Sequence, residues 1–201
     1  MIEVVLVEDQ AMLRSAIATL LGLESDITVV AELETGERAV EVIEEQSPDV
    51  VLLDVEMPGM SGLEIAAALA ERDSPCLVIM LTTFQRPGYV RRALEAGVRA
   101  YLTKDLPVGE IASAIRRVVA GEMLISGEQL RQAMSSGASP LTTRESDVLR
   151  AAQEYDTVPE IAQHLHLSVS TVSNYITAAI TKTDSRNRVE AIRVARDRGW
   201  L

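Results

Sequence analysis

Apolar positions alternate between two rhythms along the first 121 residues. Apolar runs occur at IEVVLV (2–7), ITVVAE (27–32), DVVLLD (49–54), LVIMLT (77–82) and RAYLT (99–103). They are rich in Val, Ile and Leu without strict alternation. Strands covered on both faces have this pattern, as in a parallel sheet between layers of helices. Between the runs, apolar residues recur at helical spacing over 10–23, 36–46, 61–72, 88–96 and 107–120. Ser61-x-x-Glu64 has the form of a capping box opening the third of these helices. Gly97 and Gly121 fall where helices should stop. The alternation predicts a doubly wound α/β domain with a five-stranded parallel sheet over residues 1–121.

The rhythm changes after that point. Residues 122–140 read as a linker that ends in the small, polar run MSSGASP, with a short helix over 126–135. Residues 141–201 show no strand pattern. They predict a small all-α domain with helices at 142–153, 158–165, 169–182 and 187–198. Thr142-x-x-Glu145 and Thr157-x-x-Glu160 repeat the capping-box form, and Ser168 can cap the third helix. Pro159 falls in a first turn, where its missing N–H costs nothing.

Composition narrows the class. The 201 residues are 47% hydrophobic, which suits one or two soluble domains. No apolar stretch approaches the length of about 18 residues that a spanning helix needs, and the N-terminus lacks a secretion-signal pattern. The single cysteine, Cys76, allows no internal disulfide and no multi-cysteine metal site. A cytoplasmic location is expected. The net charge of −11 is unevenly spread: residues 1–139 hold 11 Lys/Arg against 22 Asp/Glu, and residues 140–201 hold 8 of each. An acidic first part argues against unaided DNA binding there, because phosphate contacts need cations.

In a doubly wound sheet, ligands bind beyond the carboxyl ends of the strands. Glu8 and Asp9 follow the first strand, Asp54 ends the third, Thr82 and Thr83 the fourth, and Lys104 follows the fifth. Three carboxylates converge with a hydroxyl and an ammonium. Like charges this close repel unless a cation offsets them. An all-oxygen set of this kind suits Mg²⁺. Asp9, Glu8 and the Glu56 backbone carbonyl are the candidate metal ligands, alongside Asp54. A metal-flanked carboxylate can attack phosphorus, and Asp54, followed by a Gly/Pro turn, is the candidate nucleophile. Each residue alone has a plainer role, Asp54 as a turn cap and Lys104 as a solvated surface group. Their joint placement is what carries the chemistry.

Together, Glu8-Asp9, Asp54 with MPGMSG, Thr82 and YLTKD resemble the receiver domain of two-component response regulators, whose fold is CheY-like. The resemblance implies Asp54 as phosphoacceptor, Glu8 and Asp9 as the acidic metal pair, Thr82 and Tyr101 as switch residues and Lys104 as the paired lysine. It implies a sensor histidine kinase as phosphoryl donor.

In the second region two short helices joined by a tight turn form a helix-turn-helix. Its second helix would lie in the major groove, with Ser173, Asn174 and Thr177 outward toward base edges. Lys182, Arg186 and Arg188 are placed to meet phosphates. Ser168, Ser170 and Thr171, at the helix start, complete the candidate DNA contacts. LTTRESDVL, EIAQHL, LSVSTVSNYI, SRNRVEAIRVA and the ending GWL resemble the LuxR/NarL-type DNA-binding domain. Three positions depart from that pattern: Tyr155 stands where Gly is usual, Thr183-Asp184 where Leu-Gly is usual, and Ser173 where Lys or Arg is frequent.

The resemblance implies a transcription regulator, not an enzyme. Phosphorylation of Asp54 would promote homodimerisation and binding of promoter DNA, with no membrane insertion. Two other readings stay open. One is a constitutive DNA-binding protein with an inert receiver. The other is an Asp-nucleophile phosphohydrolase with Glu56 as general acid.

Overall fold

The computed structural model describes residues 1–83, 87–135 and 139–201. The chain divides into two compact units, residues 1–85 with 92–130, and residues 86–91 with 131–201. The run MSSGASP therefore lies partly outside the described residues.

The first unit holds a five-stranded parallel sheet in the order β2-β1-β3-β4-β5. Its strands are β1 (Ile2–Val7), β2 (Ile27–Leu33), β3 (Val50–Asp54), β4 (Leu77–Thr82) and β5 (Ala100–Thr103). Along the chain, the helices between and after these strands are α1 (Ala11–Leu21), α2 (Ala39–Gln46), α3 (Gly62–Glu71), α4 (Pro87–Glu95), which the division into units crosses, and α5 (Val108–Val119). Each lies within a few residues of the segment its periodicity predicts.

Every residue of β3 is buried, as a strand covered on both faces requires. One face of the sheet packs Val4, Leu6, Leu52, Ile79 and Leu81 against Ile17 and Leu21 of α1 and Ile111 and Ile115 of α5. Successive side chains point to opposite faces, so Val5, Val7, Val51, Leu53 and Met80, all fully buried, line the other. The capping box of α3 is present: Ser61 N donates to Glu64 Oε2 at 2.9 Å, and Glu64 N to Ser61 Oγ at 3.4 Å. Gly97 and Gly121 both take positive φ, 72° and 94°, which fits their place after α4 and α5.

The segment 122–130 is bound to the sheet. Leu124 forms a parallel bridge with Ala100. Leu124 N donates to Arg99 O at 2.7 Å, and Tyr101 N to Leu124 O at 3.2 Å. The following helix, α6 (Gly127–Ser135), opens on another capping box, Ser126 with Gln129. Gln129, almost fully buried, also donates from Nε2 to the Tyr101 carbonyl at 3.2 Å.

The second unit contains α7 (Thr143–Glu154), α8 (Val158–His164), α9 (Val169–Lys182) and α10 (Arg188–Asp197). Val148, Ala152, Ile161, Ala162, Val172 and Ile176 form one part of its core. Leu149, Ala179, Ala191, Ala195 and Leu201 form the other. Among the described residues, no helix is long and apolar enough to cross a membrane.

Gly62 and Gly109 make a matched test of this packing. A Cβ on Gly62 would stand 2.0 Å from the Asp54 carbonyl oxygen, while one on Gly109 would meet nothing within 4 Å. Gly62→Ala should lower unfolding free energy by about 1–3 kcal/mol, an overpacking cost. Gly109→Ala, in the first turn of α5, should raise it by about 0.5–1 kcal/mol. Thermal melting of both variants checks the opposite signs.

Candidate functional site

The strand register brings the acidic residues together. Val7 of β1 pairs with Leu53, Asp54 with Leu81, and Thr82 with Thr103. The residues at or just beyond these ends are therefore neighbours at one edge of the sheet. Glu8 is fully buried, and Asp54 and Thr82 nearly so. Lys104 N donates to the Thr82 carbonyl at 2.8 Å, fixing the chain just after β5.

From there the Lys104 ammonium reaches back into the pocket. Its Nζ lies 2.8 Å from Asp54 Oδ2, and 2.9 and 2.8 Å from Glu8 Oε1 and Oε2. The Lys104 side chain is only 6% exposed, so this cation is shared by two carboxylates away from bulk water. Burial pushes the Asp54 and Glu8 carboxyls above their ordinary values. Burial opposes the charge on Lys104, but its hydrogen bonds to Asp54 and Glu8 outweigh that and raise its value.

One ammonium does not balance three acids. Oxygens of Glu8, Asp9 and Asp54 lie within 4.8 Å of one another. Asp9 Oδ1 is buried and has no hydrogen-bond partner among the described residues. Arg14 Nη1 donates to the Glu8 and Asp9 carbonyls, at 2.6 and 3.4 Å, and so fixes their backbone, not their carboxylates. A convergent oxygen set with one orphaned oxygen fits a hard divalent cation such as Mg²⁺. Glu56 is exposed in the turn after Asp54, its N–H 3.4 Å from Asp54 Oδ1. Tyr101 is buried on β5, in register with Met80. The contact from Gln129 to its carbonyl was missed by sequence reasoning, although SGEQ (126–129) has the capping-box form that marks the start of α6.

The second unit presents the other expected site. Leu167 N donates to Ala162 O at 2.9 Å, and His166 takes a left-handed φ of 53° in the turn between α8 and α9. Ser168 Oγ caps α9 by accepting from Thr171 N at 3.1 Å, and lies 2.9 and 2.7 Å from Ser170 Oγ and Thr171 Oγ1. Val172, Ile176 and Ala179 face inward. Ser173, Asn174 and Thr177 are exposed on the opposite side. Arg186 is exposed, and Arg188 Nη1 donates to the Asp156 carbonyl at 2.9 Å. Lys182 turns instead to Glu145 at the start of α7, 2.9 and 2.7 Å from its two carboxylate oxygens.

Two of the three departures from the family pattern, Tyr155 and Thr183-Asp184, have a local structural context; nothing in the structure explains Ser173. Tyr155 ends α7 in an extended conformation, φ −115°, where no glycine is needed. Its hydroxyl lies 3.2 Å from His164 Nδ1. Asp184 occupies a left-handed position, φ 51°, the kind that glycine fills without strain. The neighbouring Thr183 donates from Oγ1 to Ala179 O at 2.8 Å.

Comparison with known proteins agrees with both halves. Residues 4–116 match the response regulator receiver domain, and residues 139–195 match the family described as bacterial regulatory proteins, luxR family. The chain belongs to the LuxR/NarL-type response regulators, with a CheY-like receiver followed by a helix-turn-helix DNA-binding domain for transcription regulation. It is 44% identical to the transcriptional regulatory protein DesR of Bacillus subtilis over the whole of both chains. It is 32% identical to the nitrate/nitrite response regulator NarL of Escherichia coli, covering 94% of this chain and 92% of that one. Among solved structures, a LuxR-family DNA-binding response regulator from Staphylococcus aureus covers 59% of this chain and 99% of its own, with 39% identity and a TM-score of 0.57. The response regulator ChrA of a heme-sensing two-component system covers 100% of this chain and 98% of its own, with 30% identity and a TM-score of 0.56.

Glu145 gives a pH prediction. Burial pushes its carboxyl up, but the Lys182 ammonium and the Thr142 N–H outweigh burial and hold it below its ordinary value of 4.5. A depressed folded-state value stabilises above the unfolded-state value, and that contribution is lost as pH falls through the lower one. Melting of the second unit should therefore drop below about pH 4.5 in the wild type. Glu145→Gln, which keeps an oxygen for the capping box, should be less stable at pH 7 and should lose less on acidification.

Proposed function

We propose that Asp54 takes a phosphoryl group from the phosphohistidine of a sensor kinase, and that this promotes pairing of two chains on promoter DNA. The observation that carries the reading is the Lys104 ammonium bridging buried Asp54 and Glu8, beside the unpartnered Asp9 oxygen. An Asp54 carboxylate oxygen attacks phosphorus, the P–N bond to the donor imidazole breaks, and that electron pair leaves with the imidazole. Asp9, Asp54 and the Glu56 carbonyl would hold Mg²⁺, with Glu8 as the further acid of the set, and the ion would offset charge on the phosphoryl oxygens.

Lys104 then pairs with a phosphoryl oxygen instead of with Asp54, and the Thr82 hydroxyl donates to another. Tyr101 responds to the movement of Thr82. The phosphoryl group adds about −1.5 to −2 charge where one carboxylate stood. Such a group acts by favouring one of two existing conformations. Exposed Met12 on α1, Leu23 just after it and Val119 at the end of α5 support the first and last helices of the receiver as the pairing face.

Pairing presents two helix-turn-helix units to half-sites spaced by about one duplex turn. Acetyl phosphate with Mg²⁺ should add one phosphate to the intact chain, read by mass spectrometry. Asp54→Asn should add none, and Asp9→Asn should slow uptake by roughly tenfold or more. Beryllofluoride should move the light-scattering mass from one chain to two. Uptake with no change in mass or DNA affinity would favour constitutive binding.

A further inference from the structure

We infer that Lys182 is a positioning residue that sets the recognition helix through Glu145, and not a ligand of DNA phosphate. The inference rests on the reading of α9 as the groove-entering helix. Three observations carry it. First, both Glu145 oxygens are engaged by Lys182 Nζ, and one of them also accepts the Thr142 N–H at 2.7 Å. One carboxylate thus ties the first turn of α7 to the last turn of α9. Second, the Glu145 side chain is only 6% exposed, so Lys182 cannot leave for a phosphate without stranding a buried charge. Third, Lys182 is off the outward face. Counting about 100° per residue, it lies roughly 125° around the axis from the centre of the stripe Ser170, Ser173, Asn174, Thr177 and Thr181.

The opposite end of α9 is held by the Ser168 cap and the turn before it. Fixing both ends of a 14-residue helix sets where Ser173, Asn174 and Thr177 meet the groove. The outward stripe itself contains hydroxyls and one amide but no cation. Its reading of bases then depends on short directional hydrogen bonds, which tolerate little displacement.

The experiment uses the full chain and a fluorescent duplex selected by the wild type from a randomised pool, with affinity measured across a range of salt. A phosphate ligand contributes about −0.9 to the slope of log K against log salt. Lys182→Met should weaken binding by roughly tenfold, the order expected for a buried carboxylate left without its partner, with the salt slope unchanged. Lys182→Arg should restore most of the affinity. Glu145→Gln, on α7 and not on the outward stripe of α9, should reproduce the loss, and the double variant should lose no more than either single one. A slope shallower by about one unit in Lys182→Met, with additive losses in the double variant, overturns the inference in favour of a phosphate contact. Unchanged affinity in Lys182→Met overturns it as well. Failure of the wild type to select any duplex sinks the DNA-binding reading instead. In that case amide exchange in the last turn of α9 decides: faster exchange in both single variants supports the tie, and unchanged exchange refutes it.

Discussion

A buried ammonium held between two buried carboxylates organises the first unit. Lys104, Glu8 and Asp54 are each costly to bury alone, because a charge in a poorly solvated site loses far more hydration than one contact returns. Together they are tolerable, and only in one arrangement. β1, β3, β4 and β5 must stand in their observed order and register for the three side chains to meet. The remaining negative charge keeps the pocket receptive to a cation and to rearrangement when a further anion arrives. The same imbalance that strains the ground state makes the pocket responsive.

The second unit applies similar physics to a mechanical end. Glu145 pairs both carboxylate oxygens with Lys182 and completes a helix cap with one of them. The outward side of α9 is left uncharged. Groups inside the domain hold the helix in place, and hydroxyls and an amide are left on its outer side. This division suits a domain whose cations and anions balance, since a neutral domain has little long-range attraction to a polyanion.

Much of this was legible in the residue order. Buried parallel strands announce themselves as apolar runs without strict alternation, and three capping boxes marked helix starts to within a residue. The acidic pocket was legible because the topology of a doubly wound sheet places every strand end on one rim. What escaped was non-local and depended on side-chain direction. Nothing near Lys182 in sequence reveals Glu145, 37 residues earlier, as its partner. The bond from Gln129 to the Tyr101 carbonyl spans 28 residues and joins a side chain to a backbone atom. Backbone bridges such as Leu124 to Ala100 leave no pattern in a stretch too short to read as a strand. The left-handed turn at Asp184 is occupied by a residue that tolerates the conformation, so no glycine flags it.

The bridge at Leu124 has a practical corollary for dissecting the chain. β5 is an outer strand of the sheet, and outer strands offer unsatisfied amides and carbonyls to any passing chain. Here the protein's own continuation occupies part of that border, accepting from Tyr101 and donating to Arg99. A fragment trimmed at the end of α5 would bare this border and invite self-association unrelated to signalling. A fragment carried on through Gln129 retains its natural cover.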